Sequence, residues 1–408
     1  MTQSISSLVV LRGVAVSFAF IVACSSSESK DLFSDTSGDM GGANGDQHTG
    51  GGGGLEPPET NGGQGGIGEQ AGGASGTTGV NGGVSGTGGK IGTGGAGGMA
   101  EVPANDITKI VPTAGCGKDP GQALGMTVRG TIQTSGTKGP DAADSKKGDW
   151  SYLREYFVAL PGSYNKTKAY PLVFQGPGCG SNGTKVYNLE NGVGGTVIRV
   201  GLTPPPNEIG HSTAPGGGCF DDKEGDDSVD WPFYENLYDK LAGQLCFDRN
   251  RVFVSGNSSG GWLSNEMGCK YAGDAKRPIR GIMPNTGGLP TDPRHVPTCT
   301  TNPMAGMWVH EVNDMGNPFT GTRVGVARAM KVNGCTIGTT FDNAMFDDFP
   351  IGGGNPANVC KKIKGCPELY PLVVCALAGN GHGTHDDVAN PGFATFLKLF
   401  SSEPFVTR

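Results

Sequence analysis

The stretch RVFVSGNSSGGW, residues 251–262, runs a short apolar segment into a cluster of glycines and serines. Gly256, Ser258 and Gly260 stand in G-x-S-x-G spacing, the pattern of a sharp turn that lifts a serine hydroxyl out of a strand-to-helix junction. In a chain with 74 glycines among 408 residues, chance alone supplies about one such serine, so the spacing by itself decides nothing. Ser258 is the one serine with glycine at both −2 and +2. Its reading depends on a strand before it, a helix after it, and chemical partners further along the chain.

The local context fits. Val252-Phe253-Val254 is β-branched and aromatic, follows the turn residues Asp248-Arg249-Asn250, and precedes a helical candidate over 258–270. Glycines flanking the turn avoid Cβ clashes, and a helix N-terminus behind the serine favours developing negative charge. The plain alternative is a glycine-rich strand-to-helix turn with a capping serine. Other apolar runs at 155–160, 170–174, 196–200, 279–284, 306–310 and 370–377 read as buried strands. Phe233, Leu237, Leu241 and Leu245 recur about every four residues and line one helix face. Weaker helical patterns cover 324–332 and 391–400. Strands alternating with helices predict an α/β fold, a mostly parallel sheet flanked by helices.

The ends differ from this globular part. A lone Arg12 precedes an apolar run over 13–23 that is short for a permanent span, so residues 1–23 read as a signal peptide. Ile21-Val22-Ala23-Cys24-Ser25 resembles a bacterial lipobox, which makes Cys24 the expected lipidation site and a lipid anchor the expected contact with membrane; an ordinary cleaved signal is the alternative. Residues 24–104 are polar and then glycine-dominated, the composition of a disordered tether. Residues 105–408 form one expected domain, large enough for a single core. Exported and held at a bacterial, by its sorting residue outer, membrane or cell surface, or secreted, is the expected location.

The domain carries ten of the eleven cysteines: Cys116, Cys179, Cys219, Cys246, Cys269, Cys299, Cys335, Cys360, Cys366 and Cys375. An even number in an exported chain predicts up to five disulfides. The cysteines lack C-x-x-C spacing with matching histidines, so no metal site is expected. The formal charge of −7, spread without basic blocks, leaves no footprint for nucleic acid.

A serine needs a base, and the base an orienting acid. Of six histidines, His48 falls in the tether and His211, His295 and His310 precede or interrupt the serine–acid–histidine order. His382 and His385 remain, in CALAGNGHGTHDD after the last apolar run. His382, delivered by Gly379-Asn380-Gly381, is the favoured base and His385 the alternative, with surface histidines or an ion site with Asp386 and Asp387 as the bland reading. In MWVHEVNDMGNP, Asp314 lies four residues beyond the strand end and is the favoured acid; Glu311, close to the strand end, is the alternative. An oxyanion hole calls for backbone N–H donors. Ser259 supplies one, and the loop from Gln175 supplies Gly178 or Cys179, since Pro177 has no N–H.

The segments AGCGK (114–118), REYFVALPGSYNKTKAYPLVFQGPGCG (154–180), LCFDRNRVFVSGNSSGG (245–261), WVHEVND (308–314) and GNGHG (379–383) occur in order. Together they resemble the secreted polyhydroxybutyrate depolymerase and feruloyl-esterase-like group of the α/β-hydrolases. That resemblance implies the α/β-hydrolase fold, Ser258 as nucleophile, Asp314 as acid, His382 as base and no cofactor. Many members have histidine-glycine where this chain has Gln175-Gly176. The expected activity is a serine carboxylic ester hydrolase acting on a polymer-derived ester, either a feruloyl or acetyl polysaccharide ester or a polyhydroxyalkanoate, as a monomer. The alternatives are a surface-tethered, non-catalytic polymer-binding module and a serine peptidase or amidase.

Overall fold

The computed structural model describes residues 106–401, apart from 139–147, 185–186, 188, 190–191, 194–196, 207–217, 221–224, 337–342 and 380. The expected signal peptide, the lipidation site Cys24 and the tether lie outside the described residues, as do His48 and His211. The strands are β1 (Thr127–Lys138), β2 (Gly148–Ala159), β3 (Tyr170–Gly176), β4 (Ile198–Leu202), β5 (Phe247–Asn257), β6 (Gly281–Asn285), β7 (Ala305–Glu311), β8 (Phe346–Asp348), β9 (Lys361–Ile363) and β10 (Leu372–Leu377). The helices are α1 (Asp230–Gln244), α2 (Ser259–Tyr271), α3 (Phe319–Asn333) and α4 (Asp386–Lys398).

Side chains alternate across the central strands, and that alternation builds the layers. In β3, Leu172 and Phe174 enter one apolar cluster and Val173 enters another. In β5, Val252 and Val254 join the first and Phe253 the second. The first cluster is closed by Phe233 and Leu237 of α1, Leu263 and Met267 of α2, and Val326 and Met330 of α3. Phe393, Phe396 and Leu397 of α4 close the second. A strand buried on both faces is a continuous apolar run, the signal that 170–174 and 251–255 carry in the sequence.

The strands form one sheet in the order β1-β2-β4-β3-β5-β6-β7-β10-β9-β8. From β4 to β10 the neighbours are parallel, while β1, β2, β9 and β8 pair antiparallel at the two sides. This is the α/β-hydrolase arrangement, in which ligands gather beyond the carboxyl ends of the parallel strands. Ser258 follows β5, Asp314 follows β7 and His382 follows β10, all at that edge.

Several elements differ from the sequence pattern. β1 and the first half of β2 form a long hairpin whose alternate residues are polar and exposed, as in TVRGTIQTSGTK, so no apolar run marks them. α3 begins at Phe319, ahead of the expected 324, and α4 begins at Asp386 although Pro391 lies inside it. A proline removes the N–H that would bond four residues back; here Asn355 Nδ2 donates to the Asp387 carbonyl at 2.9 Å and satisfies that freed group.

All ten cysteines of the domain pair: Cys116–Cys246, Cys179–Cys219, Cys269–Cys299, Cys335–Cys366 and Cys360–Cys375. The second of these pins the loop after β3. Gly180 N–H donates to the Gly218 carbonyl at 3.1 Å beside it.

Candidate active site

The junction of β5 and α2 holds Ser258 at φ 53° and ψ −117°, a region that L-residues rarely occupy. A strained serine at this junction is what exposes its hydroxyl above the sheet. Three backbone bonds keep it there: Ser258 N–H donates to the Asn285 carbonyl at 2.9 Å, and the Ser258 carbonyl accepts from Gly261 and Trp262 at 2.8 and 3.1 Å. The flanking glycines answer a need for space. A Cβ on Gly256 would run into the Gly260 carbonyl, and one on Gly260 into the Gly176 carbonyl. Neither residue has positive φ. Closeness of β3, the turn and α2 therefore demands these glycines, while the strained angle falls on Ser258 itself.

The structure brings the three favoured residues together. His382 Nε2 lies 2.9 Å from Ser258 Oγ, and His382 Nδ1 lies 2.8 Å from Asp314 Oδ2. Asp314 Oδ1 accepts from the amides of Gly316 and Asn317, both at 2.8 Å. Burial alone would raise the Asp314 carboxyl. The Asn317 amide, the His382 ring and the Gly316 amide outweigh burial and hold it below its ordinary value. The carboxylate is thus ionised and fixed, and it selects the tautomer with the proton on His382 Nδ1 and a free Nε2 facing the serine.

The two alternative residues find each other instead. Glu311, the last residue of β7, has Oε1 3.2 Å from His385 Nε2, and Oε2 accepts from Gly381 N–H at 2.7 Å. His385 caps α4 with φ 44°. Neither takes part in the Ser258–His382–Asp314 chain.

His310 carries no linear signal of a role at the site beyond its place at the end of an apolar strand. It is buried behind Asp314, with Nε2 2.8 Å from the Asn317 carbonyl and 3.2 Å from Asp314 Oδ2, and Nδ1 2.7 Å from Thr322 Oγ1. Burial pushes its ring below the usual histidine value. Asn317 was likewise unmarked: Nδ2 donates to the Thr286 carbonyl at 2.7 Å, and Oδ1 accepts from Trp262 Nε1 at 3.0 Å. That side chain ties the acid loop to the residues behind the elbow. An apolar strand ending in His-Glu was the available clue.

Beside Ser258 opens a cavity of about 690 Å³ whose wall includes Gln175, Gly178, Tyr187, His382, Thr384 and Asp386. Gly178 packs against the elbow, since a Cβ there would stand 3.4 Å from Ser258 Cβ. The Pro177 carbonyl accepts from Gly260 N–H at 3.1 Å and holds that loop over the turn. Ser259 opens α2, so its N–H belongs to the first helical turn, where amides lack intrahelical acceptors. Gln175, which stands where histidine is common in the resembling group, is buried and faces the Tyr187 carbonyl through Nε2 at 3.5 Å.

The chain is 29% identical over 175 residues to feruloyl esterase D of Neurospora crassa, covering 43% of this chain and 54% of that one. It is 27% identical over 275 residues to a probable feruloyl esterase C of Aspergillus clavatus, covering 64% of this chain and 80% of the relative. In sequence the chain is similar to feruloyl esterases. The match spans about half the length of the Neurospora protein. No protein-family model matches the chain. Among solved structures, a feruloyl esterase module from Clostridium thermocellum, as an S954A mutant complexed with sinapinate, is 12% identical with a TM-score of 0.40, covering 74% of this chain and 95% of that one. That likeness is too distant to add to the topology.

Proposed function

We propose that this chain is an exported serine carboxylic ester hydrolase that releases hydroxycinnamoyl groups, of the feruloyl type, from polysaccharide. The observation that carries the reading is the unbroken chain from Ser258 Oγ to His382 Nε2 at 2.9 Å and from His382 Nδ1 to Asp314 Oδ2 at 2.8 Å. The feruloyl esterases related in sequence supply the substrate class. Five disulfides support an oxidising compartment.

In this reading Ser258 Oγ attacks the ester carbonyl carbon while His382 Nε2 takes its proton. Asp314 keeps Nδ1–H in place and stabilises the imidazolium that forms. The carbonyl oxygen becomes an oxyanion facing the amides of Ser259 and of Gly178 or Cys179. Collapse breaks the bond to the alcohol oxygen, which leaves with the proton from His382. Water then attacks the acyl-serine, gives a proton to His382, and the carboxylic acid departs as Ser258 recovers its hydrogen. Every proton moves between substrate, water and groups of the chain.

The test is a substrate panel of methyl ferulate, feruloylated arabinoxylan, acetylated xylan and polyhydroxybutyrate. Ferulate release from the first two is expected to exceed acid release from the others by at least about tenfold in kcat/KM, since differential contacts of a few kcal/mol set such ratios. Turnover of acetylated xylan or polyhydroxybutyrate without ferulate release would redirect the substrate assignment; no ester turnover at all would end the enzymatic reading.

A further inference from the structure

The carboxyl end of β7 sets two ionisable residues side by side, His310 and Glu311, and neither belongs to the reacting trio. Successive side chains of a strand point to opposite faces, and these two reach different loops. On the acid side, the Asn317 carbonyl can only accept, so His310 Nε2 carries the ring proton and Nδ1 accepts from the Thr322 hydroxyl. The same Nε2–H is 3.2 Å from Asp314 Oδ2, the oxygen that faces His382. On the base side, Glu311 Oε2 accepts from Gly381, the residue just before His382, and Oε1 stands 3.2 Å from His385 Nε2, three residues after it. Gly379 approaches the same carboxylate so closely that a Cβ there would overlap it.

We infer that His310 and Glu311 are a positioning pair: from one strand end, His310 fixes the acid loop and Glu311 fixes the base loop, so that Asp314 and His382 meet. The inference rests on the triad reading proposed above. The 2.8 Å contact between His382 and Asp314 joins two loops 68 residues apart in sequence. The base loop, GNGHG, has little side-chain mass of its own to order it. Anchors on adjacent residues of a rigid strand leave the two loops a single relative placement. The charged or titratable groups that face the His310 ring are Asp314 and His382, and its remaining neighbours are Thr322, the Asn317 carbonyl and the edge-on Phe319 ring. A neutral His310 adds a donor there without a positive charge to compete with the imidazolium of His382.

Misplacing a reacting group by about 1 Å costs on the order of 100-fold in rate, which sets the scale of the test. In the full chain, His310→Leu and Glu311→Ala remove the anchors, while His310→Gln and Glu311→Gln keep a donor and an acceptor. The readouts are kcat and KM on p-nitrophenyl acetate and the far-downfield proton signal of His382 Nδ1–H. His310→Leu and Glu311→Ala are expected to lower kcat about 30- to 100-fold with KM within threefold and to abolish the downfield signal; the glutamine variants are expected to regain most of kcat and the signal. Folded His310→Leu and Glu311→Ala proteins within threefold of the parent kcat would overturn the inference, as would glutamine variants no better than these two. Should His310→Leu or Glu311→Ala fail to fold, Thr322→Val strips Nδ1 of its donor and Glu311→Asp withdraws the carboxylate from Gly381. Each is then expected to cost about tenfold in kcat, and an unchanged kcat in both overturns the inference. If the parent chain hydrolyses no ester, the functional reading has failed, and the downfield proton alone decides the positioning role.

Discussion

Ser258→Ala is expected to lower kcat for ester hydrolysis by about 10⁴- to 10⁶-fold while leaving the folded protein intact, the range found when a serine nucleophile is removed from such a unit. Among the described residues, the hydroxyl is the group placed both to attack a carbonyl and to hand its proton to His382 Nε2 at 2.9 Å. What survives is the stabilisation offered by the amides around the oxyanion position and by substrate binding. Stability should hardly move, because serine and alanine bear the same penalty at φ 53° and, among the described residues, the Oγ bonds to His382 alone. The comparison of kcat with thermal midpoint separates loss of chemistry from loss of fold. A variant that retains turnover would remove Ser258 from the mechanism. A parent chain that binds polysaccharide and never turns over would favour the binding-module alternative.

Asp314→Asn is expected to cost about 10³- to 10⁴-fold in kcat, by a different route. Oδ1 of the carboxylate serves the amides of Gly316 and Asn317, and Oδ2 serves His382 Nδ1. Asparagine keeps its oxygen toward the two amides, which leaves its NH₂ facing both His382 Nδ1 and His310 Nε2. Donor then faces donor. His382 relieves the conflict by moving its proton to Nε2, where it blocks acceptance from Ser258. The carboxyl is held below its ordinary 3.8 in the folded protein, so its contribution to stability is complete above that value and fades as pH falls through the lower folded value. The thermal midpoint of the parent should therefore drop on acidification below about pH 4, and the asparagine variant should lack that component. A variant retaining a tenth or more of the parent kcat would contradict this role for Asp314.

Much of this site was legible in the sequence, for identifiable physical reasons. Ser258, Asp314 and His382 each leave the carboxyl end of a buried parallel strand, and such strands announce themselves as apolar runs. Their chain order supplied what the glycine spacing alone lacked. The reason for Gly256 and Gly260 was less visible: both make room for backbone from β3 and α2, a contact no linear pattern records. The disulfide partners were invisible because pairing depends on where loops meet. β1 and the first half of β2 escaped notice because exposed polar residues alternate there with mostly half-buried ones, with few large apolar side chains. Glu311 reads in the sequence as an alternative acid and His310 as a histidine outside the serine–acid–histidine order. Their roles emerge only when the loops on the two faces of that strand are seen to fold back on them.

If Ser258 is the residue acylated during turnover, a covalent serine label marks it. The folded chain would be treated with a fluorophosphonate, reduced, digested with trypsin and mapped by mass spectrometry, with and without competing methyl ferulate. A single adduct is expected on Ser258, within the peptide spanning 252–270, suppressed by the ester and absent from Ser258→Ala. An active chain that takes the label elsewhere, or hydrolyses ester at an undiminished rate while Ser258 stays unmodified, would contradict it.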